Sequence, residues 1–453
     1  MSLKILLITP QLDKIIEPLY DKPDFVRPSL AHIAGYIRDN SDYEIQCVDA
    51  KFSQIKLDQL INKIKDFKPD VIGISAYTYE INEVKILAKA IKREDSDIIV
   101  VLGGSHITAI PEETMKEIPD IDIGVVGEGE QTLLEICNSI FLKKDYSMIP
   151  NIVFRNKNKI ILQRKNNKFL DLNKTTIPAW DLLPPAKEYY IQTTRGCPFN
   201  CNFCLNPNGN NIRLRKVKCV VDEIKYLIEK ISPDRISFGD EAFAASKEFA
   251  HNLIDEIIKI KIWEKVNWDI QTHVRFLDDE LLKKMKKVRI NKIEVGVESG
   301  NEEILKKMGK GIDKKTVENV FLKFKKYKIK TGAFFILGHP NETKKTILDT
   351  IKFAAKINPD EPIFAIMVPF PGTVISKYVK EGKAGYLYAS NNWENYRKQI
   401  NQSIEFRNFS KIELKFYFLF GNLYVFLYNF RFLDLIKKGY LYRKSILSYF
   451  RYA

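Results

Sequence analysis

Cysteine and histidine are scarce. The chain has six of the first and five of the second in 453 residues. That excludes a disulfide scaffold and a dispersed set of metal cages. No apolar run reaches the ~18 residues that cross a bilayer. The first apolar stretch, Leu3–Ile8, stops at Pro10 without a small-residue cleavage pattern, so it reads as a strand and not a signal peptide. The expected location is cytoplasmic, where thiols stay reduced and clustered cysteines suggest metal. No Gly-x-Gly-x-x-Gly follows that strand, which disfavours a dinucleotide. The net charge of +15 is carried mostly by lysine. Runs such as Lys283–Lys287 have no interleaved aromatics, so nucleic acid is not an expected partner.

Hydrophobic residues make up 45% and charged residues 28%, the balance of a folded globular protein, and the length asks for two or three domains. Residues 1–150 alternate strand-like runs (Leu3–Ile8, Glu44–Val48, Val71–Ala76, Ile98–Leu102, Asp122–Val126) with helical periodicity, as at Leu57, Leu60, Ile61 and Ile64. This predicts an α/β, doubly wound parallel sheet, with a ligand beyond the carboxyl ends of its strands. Candidates there are Thr9, Ser75, Gly103, Gly104, His106, Gly127 and Glu128. A polar connector spans 151–187 and includes "PAWDLLPPAK" (Pro178–Lys187). From 188 to 385 the alternation resumes with Tyr190–Thr194, Arg235–Gly239, Asn267–Thr272, Lys292–Val297, Thr331–Leu337 and Ile363–Val368. Six such units predict a partial (β/α)6 barrel with its chemistry at the C-terminal mouth.

Three of the six cysteines fall within eight residues, "CPFNCNFC" (Cys197, Cys201, Cys204). A closed zinc site wants a fourth ligand nearby. Cys219 stands alone 15 residues on, and no histidine lies between Gly196 and Cys219. Three thiolates suit a [4Fe–4S] cluster whose fourth iron stays open to an exogenous ligand.

"RGCPFNCNFC" resembles the signature of the radical S-adenosylmethionine enzymes, with Phe203 at the aromatic position before the last cysteine. Further phrases resemble the members that carry an N-terminal cobalamin-binding domain: "RPSLAHIAGYIR" (Arg27–Arg38), "GGSH" (Gly103–His106), "GEGE" (Gly127–Glu130), "PAWDLLP" (Pro178–Pro184), "GVESG" (Gly296–Gly300), "GHPNET" (Gly338–Thr343) and "PFPGT" (Pro369–Thr373). The subgroup includes cobalamin-dependent methyltransferases and the oxygen-independent magnesium-protoporphyrin ester cyclase. The resemblance implies a [4Fe–4S] cluster on Cys197, Cys201 and Cys204, S-adenosylmethionine, and cobalamin on the first sheet. It implies cofactor contacts at Phe203, at Gly239, Asp240 and Glu241 (where Asp240 replaces the family's second glycine), at Arg275, Glu298 and Ser299, and at Gly338.

The Asp-x-His-x-x-Gly loop that gives many cobalamin proteins an axial histidine is absent. Asp49–Gln54, after the second strand, has no histidine. Cobalamin is therefore expected without a histidine on cobalt, and His106 is placed against the corrin side chains. A sheet kept only for packing is the alternative. His273 and His339 either meet substrate or are satisfied loop histidines. The implied reaction is methylation of an unactivated carbon of a small-molecule or lipid-like substrate, fed by an electron donor such as flavodoxin or ferredoxin. Alternatives are a radical cyclisation or rearrangement, and a sensor without turnover.

Residues 386–453 change character, with 20 of the chain's 53 aromatics and 11 Lys and Arg against 4 Asp and Glu. The run Phe416–Phe430 predicts a helical cap on the barrel. A membrane-surface face is the less favoured reading.

Overall fold

The computed structural model describes residues 2–441 apart from 12, 14, 16–20, 158, 164–168, 175–176 and 399–401. The expected residues 442–453 of the tail lie outside the described residues. The chain divides into two compact units, which meet in sequence at Tyr189 and Tyr190.

In the first unit, β1 (Lys4–Ile8), β2 (Glu44–Val48), β3 (Val71–Ser75), β4 (Ile99–Gly103) and β5 (Ile123–Val125) run parallel in the order β2-β1-β3-β4-β5. Each strand falls within two residues of the apolar run that predicts it. Helix Pro28–Asn40 packs with Glu130–Phe141, and Leu57–Phe67 packs with Ile81–Glu94. Leu60, Ile64 and Phe67 form the buried stripe of the third of these, the spacing of one helical face. The strand order reverses between β1 and β3, the topological switch where ligands of such sheets bind. Two further strands, β6 (Ile152–Asn156) and β7 (Lys159–Leu162), extend the sheet antiparallel from β5. They lie in the stretch expected as a connector. Val153 and Phe154 are buried in it.

In the second unit, β8 (Glu188–Ile191), β11 (Arg235–Phe243), β12 (Asn267–Thr272), β13 (Lys292–Glu298), β14 (Lys330–Leu337) and β15 (Glu361–Ile366) form one sheet in sequence order. The pairings from β11 to β15 are all parallel. Short strands β9 (Thr194–Arg195) and β10 (Arg213–Leu214) close an antiparallel ladder around the cysteine segment. Helix starts are set by side chains that accept backbone N–H: Ser246, Asp278, Asn301, Asp313 and Thr343 cap the helices beginning at 247, 279, 302, 314 and 344. Such caps are each worth about 1 kcal/mol. β16 (Tyr386–Ala389) and β17 (Ile404–Phe406) make a hairpin beyond the sheet. Helix Lys411–Tyr428 then lies on helix Lys344–Ile357 and β15, with Leu414, Gly421, Val425 and Phe426 buried.

A knot of buried charge sits at the strand ends of the first unit. The Arg27 Nη2 donates to Glu80 Oε1 at 2.7 Å, and Lys51 Nζ stands 3.3 Å from the same oxygen. Arg27 also covers the Tyr77 ring, 4.0 Å from its centroid. Burial alone would push Glu80 up, but Arg27 and Lys51 outweigh it and hold its carboxyl below the ordinary range. Its stabilising charge is therefore present above that range and lost as pH falls. Glu80→Gln leaves Arg27 buried without its anion and Lys51 with Asp21 alone, at 3.5 Å. Denaturant unfolding should show the first unit weakened by about 3–5 kcal/mol, against little change for the exposed Glu113→Gln.

Candidate active site

The cysteine segment has no ladder of its own between β9 and β10, so its shape comes from what grips it. Gly196 turns it out of β9 at φ +99, and a Cβ there would meet the Asn211 carbonyl oxygen at 2.3 Å. That conformation and that approach both require glycine. Cys197 N–H donates to the Gly209 carbonyl at 3.0 Å, and Cys204 N–H to the Cys201 carbonyl at 3.0 Å. Asn206 Nδ2 donates to the Cys197 carbonyl at 3.1 Å.

The ends of β11, β12 and β14 hold the segment from outside. Thr193 N–H, Thr193 Oγ1 and Thr194 N–H all donate to the Asp240 carboxylate, at 2.6, 2.6 and 2.8 Å. Burial pushes Asp240 up to about 7 against the pull of these donors. Asp240 is expected in the grip on S-adenosylmethionine, but the structure commits both its oxygens to the strand that launches the cysteines. Its neighbour Glu241 is exposed and accepts from Gly196 N–H at 3.2 Å and from Asn208. Phe199, between the first two cysteines, stacks on His273 with centroids 4.1 Å apart and on Phe276 at 5.7 Å. The Arg275 guanidinium lies 5.9 Å from the Phe199 centroid and donates to the Gly311 carbonyl at 3.3 Å. Phe203 meets His339 edge-on at 6.3 Å. Asn202 N–H donates to the Met308 carbonyl at 2.9 Å.

Glu298 ends β13 at φ +68, beside a register shift in the ladder to β14. Its carboxylate pairs with Lys310, and both side chains are buried. The pair fits because Gly296 has no side chain: a Cβ there would stand 2.1 Å from Lys310 Nζ and 2.2 Å from Glu298 Oε1. The Lys310 carbonyl lies 3.2 Å from His273 Nε2. Burial, with Lys310 adding to it, brings His273 down to about 3. Burial likewise brings His339 down to about 4, so both rings are neutral at physiological pH. Sequence reasoning missed Lys310. It sits in "MGKGI" (Met308–Ile312), whose two glycines at positive φ were the available signal.

Ser299 serves packing: its hydroxyl lies 3.1 Å from Thr350 Oγ1 and accepts from Asn301 N–H. Gly338, at φ +96, turns after β14 and donates with His339 to Glu342 Oε2, at 2.5 and 3.0 Å. Gly239 sits in β11 against Tyr190.

Among the described residues, no three His, Cys, Asp or Glu side chains converge closely enough to hold a single metal ion. That leaves a cluster open, because in a cluster each thiolate takes its own iron and the sulfurs need not meet at a point. Cys197 and Cys201 are half-buried and Cys204 is exposed, on a loop whose backbone is already fixed. Cys219 lies on helix Val217–Tyr226, Cys47 on β2 and Cys137 inside helix Glu130–Phe141.

In the first unit, the predicted ligand edge holds two kinds of residue. Thr9 is buried and donates to Asp49 Oδ1 at 3.0 Å. Ser75 Oγ lies 2.8 Å from Ser29 Oγ, and Glu128 accepts from Leu170 N–H at 3.0 Å. These three are engaged by the protein itself. His106 is buried, and burial brings it down to about 3. Gly104, at φ +113, lets the turn after β4 press on Ala76, whose oxygen a Cβ would meet at 2.2 Å, while a Cβ on Gly127 would meet nothing within 4 Å. Gly103 likewise leaves its surroundings open, with the nearest atom 3.9 Å from an added Cβ. The end of β5 therefore offers bare backbone facing open space, which a flat, bulky ligand can approach.

The chain matches the family described as the Radical SAM superfamily over residues 191–354 and the B12 binding domain over 22–137. A relative in Pyrococcus horikoshii, named as an uncharacterized methyltransferase, is 30% identical over 87% of this chain and 86% of its own. The anaerobic magnesium-protoporphyrin IX monomethyl ester cyclase of Rubrivivax gelatinosus is 30% identical over 76% of this chain and 64% of its own length. The fold is similar to that of the methyltransferase TsrM of Kitasatospora setae, with a TM-score of 0.70, 19% identity and coverage of 84% of this chain and 75% of that one.

Burial pushes Glu342 up to about 7. A raised carboxyl favours the fold while protonated, so its contribution is full below about 4.5 and is lost as pH rises through 7. Glu342→Gln keeps an acceptor for Gly338 and His339 without titrating. Thermal unfolding of the second unit should lose roughly 2–3 kcal/mol between pH 5 and 8 in the parent and less in the variant.

With the two matched families covering both units, the chain belongs to the radical SAM superfamily, in the branch that carries a B12 binding domain, and its cofactors are a [4Fe–4S] cluster, S-adenosylmethionine and cobalamin.

Proposed function

We propose that the chain is a methyltransferase acting on an unactivated carbon of a small or lipid-like organic substrate. Bound together, the cofactors supply an electron, a 5′-deoxyadenosyl radical and a transferable methyl group. Every other task falls to this chain's own residues. Cys197, Cys201 and Cys204 each hold an iron, with no fourth protein ligand. Glu241, exposed beside the turn at Gly196, accepts from the amino group of S-adenosylmethionine. Arg275 or Lys310 meets its carboxylate, since a carboxylate needs a charged donor and these two cations stand nearest the aromatic rings of the cysteine loop. Phe203 and the turn at Gly338 line the nucleoside. His273 and His339, neutral and buried, exclude water and donate no proton at physiological pH. Gly103, Gly104 and Gly127 let the corrin approach backbone at the strand ends of the first unit, with no histidine on cobalt.

The observation that carries this reading is the cysteine loop itself, three thiols on a backbone gripped from three strand ends. A second reading is favoured by the cyclase relative: the same radical closing a ring, with no methyl transferred. The two differ in product. Methylation leaves a product one methylene heavier for each 5′-deoxyadenosine released, whereas cyclisation leaves one lighter by two hydrogens.

In anaerobically reconstituted protein, Cys204→Ala should bring 5′-deoxyadenosine formation to background, and Cys219→Ala should leave cluster content and formation intact. Loss of the cluster in the Cys219 variant would place a fourth ligand there and overturn the open site. Lys310→Met, measured by S-adenosylmethionine titration, should raise KM by about tenfold, the scale of one charged hydrogen bond, while iron content holds.

A further inference from the structure

The helices at residues 411–441 cap the barrel on one side only. Toward the barrel, Gly421 lets the backbone approach the Phe364 ring, which an added Cβ would meet at 3.1 Å, and Asn429 Nδ2 donates to the Ala355 carbonyl at 3.0 Å. Arg431 donates to the carbonyls of Pro359 and Asp360, at 2.6 and 2.7 Å, and Lys438 to that of Pro362 at 2.9 Å. Helix Phe432–Leu441 is therefore fixed in place. Away from the barrel, Phe430, Leu433, Ile436 and Tyr440 are 81, 73, 68 and 69% exposed. The last three recur at i, i+3 and i+7, one face of a helix. Beside them Phe416, Phe420, Tyr424 and Tyr428 form a ladder along helix Lys411–Tyr428, with successive centroids 5.7, 5.3 and 5.6 Å apart. Exposed apolar side chains gathered on the outer sides of two packed helices mark an interaction surface.

We propose that this face docks into the surface of an anionic lipid bilayer. The composition selects that occupant. Tyrosine and phenylalanine beside leucine and isoleucine are the residues of the membrane interface. Residues 411–453 contain eight Lys and Arg against two Asp and Glu, complementary to anionic headgroups. Lys437, exposed next to Ile436, lies where those headgroups would be. No helix among the described residues is long and apolar enough to cross a membrane, so the contact is made on the surface. Like charge weighs against the other occupants. A second copy would bring the same positive face against itself. Residues 442–453 hold Arg443, Lys444 and Arg451 with no acidic residue.

The test is flotation of the full-length, cofactor-loaded protein with vesicles of phosphatidylcholine, with and without phosphatidylglycerol. Vesicles containing phosphatidylglycerol should carry the protein up at low salt. Added salt should weaken this by screening, and neutral vesicles should bind far less. Leu433→Ser combined with Ile436→Ser should lower the apparent affinity at least about tenfold, while 5′-deoxyadenosine formation in solution stays at the parent level. That readout is independent of the substrate and of methyl transfer. Absence of flotation by folded protein overturns the proposal, as does equal flotation of the double variant. A concentration-dependent dimer that the same substitutions dissolve, without flotation, assigns the face to a second copy. Flotation gained only on removal of residues 442–453 assigns it to the chain's own tail.

Discussion

A loop that must hold three thiols in fixed places cannot rely on a hydrogen-bond ladder, because ladders send successive side chains to opposite faces. The cysteine loop is instead rigid by attachment. Asp240 accepts three hydrogen bonds from Thr193 and Thr194 immediately before it. Gly196 makes the turn that no other residue could make there. The His273 ring takes the face of Phe199. Strands β11, β12 and β14 end around this loop, and each contributes something to its position. The parallel sheet exists, from this standpoint, to bring those ends together.

Each unit also places a buried ion pair at its strand ends: Glu298 with Lys310 in one, Glu80 with Arg27 and Lys51 in the other. Apolar residues of the same size would serve packing as well or better, since a buried pair rarely repays its desolvation. What a pair adds is a charge held in a defined place. Together with burial, Lys310 lowers the proton affinity of His273 and His339, and Glu298 sets an opposite charge beside Lys310. The positive φ of Glu298 is the backbone cost of aiming that carboxylate inward.

Much of this was legible in the sequence, and the exceptions have physical causes. Strands announced by continuous apolar runs, such as Val71–Ser75, appear within a residue or two of their expected bounds, because a strand buried on both faces has no polar alternation to blur it. The hairpin β6–β7 was hidden because its strands are short and its turn is rich in lysine and asparagine, the composition of a linker. Asp240 shows a different limit. A motif position says which backbone site a residue occupies, and here the side chain turned to the preceding strand. Lys310 was marked only by the glycines on either side of it, since its pairing comes from Gly296 leaving room in β13, a contact no local spacing encodes.

The tail resisted reading because it is apolar nearly all round. A helix with one apolar stripe declares which face is buried, whereas Lys411–Tyr428 has aromatics at 416, 417, 418, 420, 424, 426 and 428, distributed about its whole circumference. Composition then fixes the total apolar surface but not its division. The division is made by a single small residue. Gly421 lets the helix sink onto Phe364 along one line, which buries Leu414, Val425 and Phe426 and leaves Ile412, Phe416, Leu423 and Leu427 exposed on the opposite side. The cap and the exposed face are therefore two sides of one helix. Whatever strengthens its seat on the barrel presents the outer face more rigidly to its partner.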